Sequence, residues 1–162
     1  MAKQQFRIRK ILAWMFVCMW MAFIFYLSNQ TAEASSELSL EVTVMIERMM
    51  HIIIPHIDFQ ESIFHHYIRK GAHFFTYFIL GVLVMNALFI SRKHVISSML
   101  YSLVICVIYA TTDEIHQLFI PGRSGEVIDV FIDSVGATVG ILIYASCTVL
   151  IRQRIFKRYK QT

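Results

Sequence analysis

Three short stretches of an otherwise apolar chain carry side chains able to bind anions or move protons. The first holds Lys70, His73 and Tyr77, whose i, i+3, i+7 spacing puts them on one face of a helix. The second is Asp113-Glu114-Ile115-His116-Gln117, followed by Pro121-Gly122-Arg123, a tight turn presenting one arginine. The third holds Asp129 and Asp133, one helical turn apart, with Gly136 and Gly140 continuing their stripe. Arg123 and Lys70 suit a phosphate or carboxylate, which arginine grips with two parallel hydrogen bonds and lysine as a point charge. His116 or His73 would act as general acid or base, because imidazole titrates near neutral pH. Asp113 or Glu114 would orient that imidazole. Asp129 and Asp133 would counter Arg123 or hold the site open, and Tyr77 and Gln117 complete the substrate-binding set.

Two histidines and four carboxylates are a donor set suited to a divalent ion. There is no HExxH, however, and the Asp113, Glu114, His116 spacing matches no standard ligand pattern. The expectation is therefore no metal and no cofactor. His51, His56, His65 and His66 read as solvated or interfacial. Cys18, Cys106 and Cys147 each sit alone in an apolar stretch, as small hydrophobes rather than a disulfide framework.

The elements that must position these groups follow from composition. The 162 residues are 57% hydrophobic and 16% charged, with a mean hydropathy of +0.58; a soluble surface needs more charge than that. The apolar residues fall in four blocks, about 11–27, 72–90, 95–111 and 127–151, near the roughly 20 residues that cross a bilayer as a helix. The expected fold is all-α, a single-domain integral membrane four-helix bundle.

Charge sets its orientation. Of the fifteen Lys and Arg, eleven lie at the N-terminus (Lys3, Arg7, Arg9, Lys10), after the second block (Arg92, Lys93) and in the tail (Arg152, Arg154, Lys157, Arg158, Lys160). Four crossings put all three regions on one side, and the positive-inside rule makes that side, with both termini, cytoplasmic. A cleavable signal peptide is the rival reading of the first block, with Ala32-Glu33-Ala34 as a cleavage site. Its apolar run is long for that and rich in aromatics.

The outer segment, about 28–70, is not plain loop. Leu38, Val42, Met45, Met49 and Ile52 or Ile53 recur at helical spacing among Glu37, Glu41 and Glu47, predicting an extracytoplasmic amphipathic helix between helices 1 and 2. Pro55 ends it. Asp58 then reads as the N-cap of a long second helix, with Glu61 at its third position, running over about 59–90 and roughly 45 Å long.

Under this topology Ser28, Gln30, Lys70, His73, Asp113 to Gln117, Arg123, Asp129 and Asp133 all reach one membrane level, the outer one. Polar groups in membrane helices are costly and so mark function by default. Three readings of the cluster stay open: an enzyme acting on an anionic lipid-linked or cell-envelope substrate, a non-catalytic binder of such a ligand or of an antibiotic, and a polar network that holds helices together. Nucleic acid is not expected as a partner. The pI of about 9.1 comes from topology signals, and the basic tail suits anionic lipid headgroups.

Arg69-Lys70-x-x-His73-Phe74-x-x-Tyr77, Asp113-Glu114-x-His116-Gln117-x-x-x-Pro121-Gly122-Arg123, Asp129-x-x-x-Asp133-x-x-Gly136 and Ser28-Asn29-Gln30 resemble, in order and spacing, the motifs of the VanZ-like membrane family. The resemblance spans about 20–145. It departs at Ser134, where the family pattern has asparagine, and no family motif falls between Thr31 and Ile68. It implies a bacterial membrane protein linked to resistance to teicoplanin-type glycopeptides and supplies no settled reaction; the residues themselves add a multi-pass topology in the cytoplasmic membrane and a lipid-linked cell-wall or phospholipid ligand of the outer leaflet.

Overall fold

The computed structural model describes residues 1–53, 61–92 and 94–159. Five helices follow one another: α1 (Ala2–Ser28), α2 (Ala32–Ile53), α3 (Glu61–Arg92), α4 (Val95–Gln117) and α5 (Val127–Tyr159). No strand occurs among the described residues. Four stretches are long and apolar enough to cross a membrane: Lys3–Ser28, His66–Ser91, Val95–Gln117 and Val127–Ile151. The all-α bundle of four spans and the intervening helix expected from sequence are both present. Pro55, His56 and the Asp58 cap lie outside the described residues, as do the side chains of His51 and His65.

Residues on one flank of each span, such as Phe16, Met19 and Phe23 on α1 and Ile96, Leu100, Val104 and Ile108 on α4, are exposed. Water would make such faces untenable, whereas lipid is their proper solvent. The buried flank holds Val17, Ile24, Tyr77, Leu80, Val84, Cys106, Ala110 and Ala137 in one cluster.

Since lipid is as apolar as leucine, close backbone approach and interhelical hydrogen bonds must hold the spans together. The α3–α5 seam supplies the first. A methyl group added at Gly136 would strike the Phe74 carbonyl, and one at Gly140 the Phe78 carbonyl. The second comes from Trp20 Nε1, which donates to the Thr76 carbonyl at 2.9 Å, and Tyr109 OH, which donates to the Met21 carbonyl at 2.6 Å. Tyr144 OH donates to Asn86 Oδ1 at 2.8 Å, tying α5 to α3.

Helix α4 runs past its apolar block, because Asp113, Glu114 and Gln117 are buried between helices. It ends where Phe119 N–H turns back to the His116 carbonyl at 3.0 Å and Ile120 N–H to the Gln117 carbonyl at 3.1 Å. Arg123 N–H then closes a turn on the Ile120 carbonyl at 3.1 Å, with Gly122 at φ 74°, a conformation that excludes most side chains.

Candidate functional site

Polar side chains from five helices and one turn meet at a single end of the bundle. A cavity of about 110 Å³ lies there, lined by Ser28 of α1, Ser35 and Ser39 of α2, Arg69, His73 and Tyr77 of α3, Asp113 and Gln117 of α4, and Arg123 of the turn. Ile24, Leu27 and Leu38 give it an apolar side. That mixture of an apolar wall and a few convergent polar groups is characteristic of ligand sites.

The turn places Arg123. Its Nη1 donates to the Ser28 carbonyl at 3.0 Å and its Nη2 to Ser35 Oγ at 2.7 Å. One guanidinium thus caps the C-terminal end of α1, where the helix dipole favours a cation, and ties α2 to it. Burial first, and then nearby Arg69, lower the Arg123 pKa from its usual value. Neither arginine takes part in an ion pair among the described residues.

Lys70 is engaged elsewhere. Its ammonium donates to Glu126 Oε2 at 2.8 Å and to Asp129 Oδ1. That contact lowers the exposed Glu126 carboxyl below its ordinary value. Lys70 therefore faces α5 rather than the cavity lining, and Asp129 is paired with it and not with Arg123. Neighbouring Arg69 faces the cavity instead.

The remaining acids cluster deeper. His73 Nδ1 stands 3.4 Å from Asp133 Oδ1. Glu114 Oε1 accepts from Gln117 Nε2 at 3.2 Å and Oε2 from the Glu126 N–H at 2.9 Å. His73, Glu114 and Asp133 each bring a ligand-type atom within 4.8 Å of one another. Among the described residues no hydrogen bond reaches Ser28 Oγ, Tyr77 OH, Asp113 Oδ1, Arg123 Nε or either Asp133 oxygen, although all are buried. Unmet buried polar groups are rare, and each calls for a reason.

Of the residues named from sequence, His73, Tyr77, Asp113, Gln117 and Arg123 line the cavity, with Glu114 and Asp133 behind His73. His116 does not. Its ring lies 4.7 Å from that of Phe25, and its Nε2 is 3.4 Å from Asn29 Oδ1. Sequence reasoning passed over Ser35, Ser39 and Thr76, and it quoted Arg69 in a motif without giving it a place in the site. Arg69, His73 and Thr76 at i, i+4, i+7 are as good a helical stripe as the one chosen, and this was the missed signal.

The helices and the site define a multi-pass α-helical membrane protein with a polar cavity at one end of its bundle. The VanZ/LLP1 family model matches residues 13–151, and the chain belongs to that family. A comparison with curated proteins finds no match, and neither does one with solved structures.

Proposed function

We propose that the cavity binds the anionic headgroup of a lipid-linked or other cell-envelope ligand at the outer face of the bacterial cytoplasmic membrane. Through that binding, the protein contributes to resistance to teicoplanin-type glycopeptides. The observation that carries the reading is the pair of guanidiniums, Arg69 and Arg123, lining one cavity with no carboxylate partner among the described residues. Two cations held near each other in a half-buried site repel, and an anion between them relieves the repulsion while accepting several charge-assisted hydrogen bonds. The apolar wall of Ile24, Leu27 and Leu38 suits the first carbons of a lipid tail.

The ion pairs of Lys70 favour a second reading, a polar network that only organises helices. Lipid mass spectrometry on purified wild type, Arg69→Ala and Arg123→Ala separates the two. Capture predicts an anionic lipid or carrier lipid that co-purifies with wild type and falls at least tenfold in both variants. Identical lipid content in all three, with helix content unchanged, overturns capture and leaves the network.

A further inference from the structure

We propose that His73, Glu114 and Asp133 form a binding site for one divalent transition-metal ion at the inner wall of the cavity. The inference goes beyond the ligand reading and does not rest on it.

Asp133 carries the argument. Its side chain is 0% exposed, and neither oxygen accepts a hydrogen bond among the described residues. Its one ion-pair contact among the described residues is His73 Nδ1, at 3.4 Å. A carboxylate so placed must hold a proton or a cation, because an isolated buried charge is prohibitively costly. Apart from His73 itself, the nearby cations do not neutralise it. Lys70 is committed to Asp129 and Glu126, and Arg123, hydrogen-bonded to the Ser28 carbonyl and Ser35, makes no ion pair with Asp133 among the described residues. Asp113, Glu114 and Asp133 are all buried at this end of the bundle. Among the described residues none of the three has a lysine or arginine within ion-pair distance.

The geometry suits a shared cation. Two ligands about 2.1 Å from a tetrahedral zinc stand roughly 3.4 Å apart, which is the observed separation of His73 Nδ1 and Asp133 Oδ1. The third donor, on Glu114, is within 4.8 Å of both. Glu114 is already aimed, since Gln117 Nε2 and the Glu126 N–H each hold one of its oxygens. Such outer hydrogen bonds commonly orient metal-ligating carboxylates. One imidazole and two carboxylates balance a divalent charge, and this mixed set suits zinc or manganese. Three protein ligands leave a coordination position open, and His73 lines the cavity. With the ion bound, His73 is a ligand and not a free base.

The test uses tag-free, full-length protein in detergent, stripped with chelator and titrated with zinc and separately with manganese. Calorimetry and elemental analysis after dialysis read the result. One ion per chain is expected for at least one metal, with a rise in thermal midpoint on binding. Asp133→Asn should lower the affinity at least tenfold and abolish that rise, while its metal-free midpoint is unchanged or higher because a buried charge has gone. His73→Gln should lose binding too, and His94→Ala, at the far end of α4, should keep it. Absence of saturable wild-type binding of both metals, or wild-type affinity in folded Asp133→Asn, overturns the site. Should both ligand variants fail to fold, the wild-type stoichiometry decides alone. A protein that binds metal but no anionic lipid sinks only the capture reading, and the converse sinks only the metal.

Discussion

A carboxylate taken out of water must find a cation, a donor or a proton, and the acids at this end of the bundle find different solutions. Asp129, 4% exposed at its side chain, takes the Lys70 ammonium. Glu114 takes an amide and a backbone N–H. Removing one partner of a buried pair costs about 3–5 kcal/mol, because it strands the other charge. Lys70→Met should therefore lower the thermal midpoint in detergent markedly, and adding Asp129→Leu should recover most of the loss. A Lys70→Met midpoint equal to wild type would show that the pair is effectively solvated. The two histidines show what the sequence could not rank. At 100° per residue, Glu114 and His116 lie about 160° apart around α4, whereas Asp113 and Gln117 lie about 40° apart. Asp113, Glu114 and Gln117 occupy the buried arc, so His116 is turned out toward Phe25. Spacing alone excluded a face shared by His116 and Glu114. Which arc faced inward depended on where α1, α3 and α5 stood, and that information is tertiary.

At the scale of elements, the seam between α3 and α5 sets the register of the site, since it fixes His73 against Asp133. The Gly136 and Gly140 stripe on α5 was legible as a small-residue pattern, and it meets backbone carbonyls of Phe74 and Phe78 on α3. Overpacking a close contact commonly costs about 1–3 kcal/mol, and here the obstacle is main chain, which cannot swing aside. Gly140→Val should thus lose more stability than Leu142→Val, a change two residues on at an exposed, lipid-facing side chain. Thermal unfolding of the two variants side by side checks this, and equal midpoints would mean that the helices can separate without loss. Helix ends were less legible than helix positions. The apolar block of α4 stops near residue 111, yet the helix continues to Gln117, because buried polar residues keep the helical backbone once neighbouring helices shelter them. The α2 helix was read from its apolar spacing, and Leu38, Val42, Met45, Met49 and Ile52 do lie exposed along it. What the spacing could not reveal is the flank beside that stripe, where Ser35 and Ser39 join Leu38 in the cavity lining; two serines carry no hydropathy signal.

For the whole molecule, the spans were the most legible feature, because each needs only length and apolarity, both local properties of the chain. Orientation is a different kind of inference. It rests on lysine and arginine counts in three regions that four crossings bring to one side, and it decides what the polar end of the bundle can meet. That end includes the α4–α5 turn, where Ser124 is exposed, while the α3–α4 turn at the opposite end exposes His94. Replacing Cys18, Cys106 and Cys147 by alanine gives a background in which a single new cysteine reports its side. In intact cells a membrane-impermeant maleimide should label Ser124→Cys, and should label His94→Cys only after the membrane is opened. The reverse pattern would put the polar cavity at the cytoplasmic face. It would leave the cavity and its arginines intact, but the anionic headgroups within reach would be those of the inner leaflet, and a direct role against an antibiotic acting outside the cell would lose its footing.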